Sequence, residues 1–255
     1  MSIIKNEIPI LEYDADKQSV IMPDHEHLTM RLPAKGVFAF LGDAVDQYAK
    51  AHNAEIAGEF ISITKKYPVY VVRYGKEEIC LVQAPVGAPA AAQILDWLIS
   101  YGVTEIISSG SCGVLTKMEE NVFLVPSRAL RDEGTSYHYL RPSRYVDINP
   151  KARKAVEKTL REHNLRYTEV MTWSTDGFFR ETEEKVAYRK AEGCQVVEME
   201  CSALAAVAAL RGGIFGQLLF TADTLADPGS YDERDWGENS FAPALTYSLE
   251  AVCRL

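Results

Sequence analysis

Residues 105–115 read Glu-Ile-Ile-Ser-Ser-Gly-Ser-Cys-Gly-Val-Leu, an apolar run that passes two serines and enters Gly110-Ser111-Cys112-Gly113. The apolar start predicts a buried strand. The closely spaced glycines predict a tight turn at its end, where backbone N–H groups can cradle an anion. No arginine or lysine stands beside that turn before Lys117. In open α/β sheets ligands gather outside the carboxyl ends of the strands, so what such a turn holds is the first question the chain raises.

On either side of this stretch, β-rich runs alternate with helical ones. GVFAFLG (36–42) precedes DAVDQYAKAHN, while VYVVRYG and EEICLVQA precede APAAAQILDWLISYG. Further on, NVFLVPSRAL, RYTEVMTWST, QVVEME and IFGQLLFTAD alternate with NPKARKAVEKTLREHN, ETEEKVAYRKAEG, CSALAAVAALRGG and a closing helix near SFAPALTYSLEAVCR. Near-continuous apolar strands interleaved with helices predict an α/β chain with a three-layer αβα fold, its central sheet mostly parallel or mixed. Asn149-Pro150 opens one helix as cap then proline, and Gly212-Gly213 closes another. No repeat, low-complexity tract or linker interrupts the pattern, so the chain reads as one domain over 1–255.

Of the 255 residues, 47% are hydrophobic and 25% charged, enough for a core that needs no disulfide or metal. The five cysteines (Cys80, Cys112, Cys194, Cys201, Cys253) include no C-x-x-C pair and read as small buried hydrophobes. A net charge of -9 without a basic cluster excludes a nucleic-acid partner, because a phosphate backbone needs the opposite field. There is no apolar run of about 18 residues, and the start MSIIKNEIPILEYDADK is charged early. Neither a membrane span nor a signal peptide is expected, and the chain reads as cytoplasmic.

Polar groups fall where strands stop: Gly42-Asp43, Ser108 to Gly113, Thr175 to Phe179, Glu198 to Glu200, and Thr221 to Asp223. VVEMECSAL sets Glu198, Met199 and Glu200 directly before an alanine-rich helix, where an unpaired carboxylate is costly. Two readings fit Glu200: it accepts hydrogen bonds from a ligand's hydroxyl pair, or it caps the helix or joins a buried ion pair.

Taken in order, the GSCG stretch, the EME triplet before a small-residue helix and the Asp of FTADTL resemble the nucleoside phosphorylase and nucleosidase superfamily, from about Gly36 to the C-terminus. RDEGTSYHYL is similar to a tract of its uridine phosphorylase-like branch. The resemblance implies that Glu200 binds the ribose 2′- and 3′-hydroxyls, with Glu198 beside it and Met199 packed on the sugar. It implies that Ser111, next to Gly110, faces the nucleophile, that Phe178 stacks on the base, and that Asp223 protonates a leaving purine. His25, or its neighbour His27, would cross to the sugar's 5′-hydroxyl in an adjacent subunit of a homo-oligomer, a dimer or a trimer of dimers. Each residue also has a plain alternative: Phe178 in the core, Asp223 capping a turn, and His-Glu-His at the surface, two histidines alone being a weak metal site.

The pattern breaks at the acceptor side. Where family phosphorylases carry G-D-P-x-R with a phosphate-gripping arginine, this chain has Gly42-Asp43-Ala44-Val45-Asp46. A second phosphate arginine falls at Ser108, and a third, lent by a partner subunit, near Gly58. Two unit charges about 4 Å apart interact by roughly 4 kcal/mol at an effective dielectric near 20, so an arginine-to-aspartate change reverses a large contribution to phosphate binding. Water is therefore expected as acceptor, with Asp46 orienting it and Asp43 as second choice. Arg131, Arg180 and Lys117 are the cations that could reverse this expectation. The uracil-reading Gln and Arg are missing from RETEEK, where Thr182 and Glu184 take their places, which favours a purine. The expected activity is nucleoside cleavage without metal or cofactor, phosphate being a disfavoured co-substrate. Its rivals are a phosphorylase with a relocated cation and a nucleoside-binding homologue without catalysis.

Overall fold

The computed structural model describes residues 3–255. The first two positions of the domain expected over 1–255, which also begin the stretch read for a signal peptide, lie outside the described residues. Among the described residues there are ten strands: β1 Lys35–Phe40, β2 Glu55–Ile61, β3 Lys66–Tyr74, β4 Glu77–Gln83, β5 Glu105–Val114, β6 Phe123–Asp132, β7 Tyr145–Asp147, β8 Tyr167–Thr175, β9 Val196–Glu198 and β10 Ile214–Thr224. The helices are α1 Ala44–Ala51, α2 Ala88–Ser100, α3 Pro150–Glu162, α4 Glu183–Ala191, α5 Cys201–Arg211 and α6 Phe241–Val252.

The strands form one mixed sheet in the order β10-β6-β8-β9-β5-β1-β4-β3-β2, with β7 beside β6. β5 runs parallel to both β1 and β10, then its last two residues, Gly113 and Val114, turn to pair with β9. Because β9, β8, β6 and β10 lead back to β5, the pairings close a five-strand circuit at one side of the sheet. Strand alternation feeds two cores. Phe38, Val82 and Ile106 pack under α2 and α5, while Val37, Ala39, Leu81 and Ile107 pack under α1, α3 and α6.

The expected helix signals hold. Asn149 accepts a hydrogen bond from the Lys151 N–H ahead of α3, whose first residue is Pro150, and Gly212 (φ 79°) closes α5 in the left-handed conformation. β2 and β7 go unread in the sequence because β2 is a half-exposed edge strand and β7 has three residues. All five cysteines are free. Among the described residues no helix is long and apolar enough to cross a membrane.

One sequence expectation is corrected. Gly110 to Gly113 is not a tight turn; the chain stays extended to Val114, and neither glycine has a positive φ. Crowding, not backbone conformation, asks for glycine here. A Cβ on Gly110 would stand 3.1 Å from the Cβ of Phe40, and one on Gly113 would stand 2.8 Å from Leu225 Cδ1 and 3.0 Å from Val197 Cγ1.

Candidate active site

β9 ends on Glu198 and α5 begins at Cys201, so the three residues of the EME triplet straddle a strand-to-helix junction. Glu198 is buried and accepts hydrogen bonds on both oxygens: Oε1 from Ser174 Oγ (2.6 Å) and Thr172 Oγ1 (3.1 Å), Oε2 from the N–H of Glu200 (2.7 Å) and of Cys201 (2.6 Å). Its pKa stays raised, because burial pushes it up and the four donors draw it only part of the way back. With every donor aimed at carboxylate oxygens at a helix N-terminus, the negative charge belongs on Glu198.

Glu200, the N-cap residue of α5, is left with less. One oxygen accepts from the N–H of Gly87 at 2.5 Å, the residue that opens α2 with a φ of 102° that glycine alone adopts readily. Burial first, and then the charge of Glu198, push the Glu200 carboxyl up to about 8. A buried carboxyl so placed gains from any ligand that brings hydroxyl donors.

Asp223 owes its position to an irregularity in β10. Between Thr221 and Thr224 the register against β5 slips, three steps on β10 matching two on β5, and Asp223 lies in that bulge. Its Oδ1 would lie 3.2 Å from a Cβ on Gly113, so the bare glycine makes room for it. Burial raises its pKa, while its own backbone N–H, Tyr231 and Arg234 draw it down. Glu181 is nearby and carries no hydrogen bond among the described residues; burial, then the charge of Asp223, push it up to about 7. Burial raises both carboxyls, and two neighbouring carboxyls in low dielectric share protons unevenly.

These elements surround a cavity of about 480 Å³. Of the residues singled out in the sequence, Gly110, Ser111, Phe178, Glu198, Met199, Glu200 and Asp223 line it together. Asp46, His25 and Ser108 do not, nor do the second choices Asp43 and His27. Asp46 is exposed on α1, where its Oδ1 accepts from Tyr70 O–H at 2.9 Å, because the chain enters α1 before it can turn that side chain inward. His25 is exposed on the turn that starts at Met22, its Nδ1 2.9 Å from the Met22 carbonyl. Ser108 is fully buried and outside the lining, on the strand face that packs against α2 and α5.

The sequence reading passed over Glu181, Gln217, Trp236, Phe40, Val86 and Val197, which also line the cavity. Glu181 lies three residues beyond Phe178, across a short 3-10 turn, and that spacing was its only signal. The two positions compared with the uracil-reading pair face elsewhere: Thr182 caps α4 by accepting from the Lys185 N–H, and Glu184 is exposed. Trp236 reaches the cavity from a left-handed run, Arg234 to Gly237 with φ of 49°, 46°, 53° and 71°, that no sequence pattern announces. Its ring centroid lies 6.2 Å from that of Phe178.

No lysine, arginine or histidine is among the described residues that line the cavity, whereas four carboxyl side chains are. Arg131, the first of the three cations that could have supplied a charge, is buried. Its guanidinium donates to Ser136 Oγ, Ser143 Oγ and the carbonyls of Leu140 and Arg141, and lies over the Tyr137 ring. Arg180 and Lys117 are exposed and outside the cavity wall.

The family model described as the phosphorylase superfamily matches residues 35–254, and the chain belongs to that superfamily. It is 23% identical over 155 residues to the guanosine phosphorylase of Halorubrum lacusprofundi, which is 60% of this chain and 64% of that relative's length. Among solved structures it is similar to uridine phosphorylase from Vibrio fischeri (TM-score 0.75, 22% identity, 88% of this chain and 93% of that one). It is also similar to AMP nucleosidase from Bacteroides thetaiotaomicron (TM-score 0.71, 21% identity, 87% and 88%). A third likeness is to 5′-methylthioadenosine/S-adenosyl homocysteine nucleosidase from Helicobacter pylori (TM-score 0.69, 18% identity, 86% and 97%). At these identities the structures establish a shared fold, and their names span both phosphorylases and nucleosidases.

Proposed function

We propose that this chain cleaves the N-glycosidic bond of a purine nucleoside with water as the acceptor. The observation that carries the reading is the cavity wall, which holds Glu181, Glu198, Glu200 and Asp223 and no cation among the described residues. Phosphate, a dianion near neutral pH, would meet only repulsion from that wall and weak neutral donors such as Ser111.

In this reading Glu200 accepts the ribose hydroxyls, Met199 packs on the sugar, and Phe178 with Trp236 holds the base. Asp223, whose pKa burial raises, donates a proton to N7 as the bond from C1′ to N9 lengthens. A water oxygen bonds to C1′ of the oxocarbenium-like sugar as the base leaves. The surplus proton of that water passes to solvent at the open mouth, and Asp223 regains one. Asp46, outside the cavity, takes no part. The chain acts as a homo-oligomer in which His25 reaches an adjacent site.

Phosphorolysis is the second reading, favoured by the likeness to guanosine phosphorylase. It needs a cation brought in from beyond this wall. The experiment is a purine and pyrimidine nucleoside panel incubated with and without phosphate, with the sugar product identified. Free ribose in both arms is expected; ribose 1-phosphate formed only with phosphate overturns the reading.

A further inference from the structure

One residue of the cavity wall belongs to a polar pair that neither the fold nor the proposed mechanism uses. Gln217 of β10 lines the cavity at 2% exposure, and its Oε1 has no hydrogen-bond partner. Ser108 of β5, at 0% exposure, has an equally unpartnered Oγ. The parallel register of β10 on β5 sets the two side by side. They lie two residues beyond Phe215 and Ile106, register partners that share one core, so both side chains face the α2 and α5 side.

A buried amide oxygen or hydroxyl without a partner costs roughly 1–3 kcal/mol, and native interiors nearly always meet such groups with water or ligand. Apolar side chains would suit this strand interior better if nothing bound there. Ser109 and Ser248 also hold unpartnered hydroxyls, but neither lines the cavity. Gln217 differs because it is itself a lining residue, and Ser108 because it is the register partner of Gln217 on β5. Ser108, in turn, occupies the place at which the family resemblance puts a phosphate-binding arginine. An amide and a hydroxyl are uncharged, so they cannot neutralise a dianion. They can hold one water, which both donates and accepts and needs two or more polar partners in a buried site.

We propose that Gln217 and Ser108 are positioning residues that seat the acceptor water beneath the anomeric carbon. The inference rests on the hydrolytic reading above. The pair orients the water's lone pair toward C1′ and takes no proton; the new C–O bond forms as the C1′–N9 bond breaks, with the proton transfers already described.

The test is Gln217→Leu, close in volume and without polar atoms. Turnover of a purine nucleoside is expected to fall about 10- to 100-fold with KM within roughly threefold, the range one lost positioning contact supplies. The melting temperature is expected to hold or rise, since an unsatisfied amide has been removed. In water containing methanol, the ratio of methyl riboside to ribose is expected to rise, because the seat no longer prefers water. Unchanged turnover and product ratio overturn the inference, as does a loss of activity that comes with a lower melting temperature and an unchanged ratio. If the wild type forms only ribose 1-phosphate, hydrolysis is refuted, and the variant's KM for phosphate decides the pair. A raised KM keeps Gln217 and Ser108 as the acceptor's seat, and an unchanged one removes them. A crystal structure of the free protein gives an independent check: an ordered water bonded to both side chains supports the pair, and no water there overturns it.

Discussion

The two corners of the cavity are built from different material. At one, Glu198 and Glu200 are held by a strand end and by the starts of α2 and α5, with hydrogen bonds to backbone N–H groups at each step. At the other, Asp223, Glu181 and Trp236 hang on a β-bulge, a 3-10 turn and a left-handed run. Regular elements fix the sugar corner, where every ribose presents the same two hydroxyls. Irregular backbone shapes the base corner, where a change of loop can change the base without disturbing the sheet. Within the sugar corner the same division appears between two residues: Glu198 is satisfied by the protein and Glu200 is left for a ligand.

The largest effect is expected at the base corner. Asp223→Asn keeps the shape but cannot give up a proton, so kcat for a purine nucleoside should fall by about 10²–10⁴-fold with KM nearly unchanged. Steady-state kinetics decide it; activity left intact removes Asp223 from the mechanism.

The two glutamates of the sugar corner should then separate cleanly. Glu198→Ala strands two hydroxyls and two helix N–H groups, and it should destabilise the fold by about 3 kcal/mol or more, read from chemical denaturation. Glu200→Gln should instead weaken nucleoside binding about 10- to 100-fold, measured by calorimetry, as a hydrogen bond to a charged group is lost. It should also stabilise the empty protein at alkaline pH. The wild-type carboxyl has its folded pKa raised to about 8, so the folded state holds the extra proton and stability falls as pH rises from the ordinary carboxyl range toward that value. Glutamine has no such penalty, so the gap between variant and wild type should widen from pH 5 to pH 8 and then level off. A gap that does not widen between pH 5 and pH 8 would mean that hydrogen bonds from the protein offset the burial of the carboxylate.

The smallest change is expected from Glu181→Gln. The two carboxyls share protons as a pair: the charge of Asp223 helps raise Glu181 to about 7, and by reciprocity a charge on Glu181 makes Asp223 harder to ionise. Without that charge the alkaline fall of kcat should move to lower pH, with less than about tenfold loss at pH 6. A shift in the opposite direction, or a loss equal to that of Asp223→Asn, would place the transferred proton on Glu181 instead.

The sequence exposed the sugar corner far better than the base corner, and for a physical reason. Glu198, Met199 and Glu200 sit where a β-branched run meets an alanine-rich one, a junction that two periodicities mark. Asp223 was visible only as an acid near a strand end, and the bulge that aims it was not. Glu181 and Trp236 belong to turns whose conformation neighbouring elements impose, so local composition carries almost no trace of them. Gly110 to Gly113 shows the reverse error. Glycines that suggest a turn by composition are there because Phe40, Val197 and Leu225 press on a straight strand.

By itself the sequence determined the alternation of strands and helices, the caps of α3 and α5, the acidic balance and the missing cations at the acceptor side, since all of these are set by short-range periodicity or by residue type. Tertiary structure alone decided that β5 runs on through its glycines, that Asp46 and His25 stay outside the cavity, and that Glu181 and Gln217 enter it. Those outcomes depend on which strand lies against which and in what register, and contacts between residues a hundred positions apart leave no pattern within any one window of the chain.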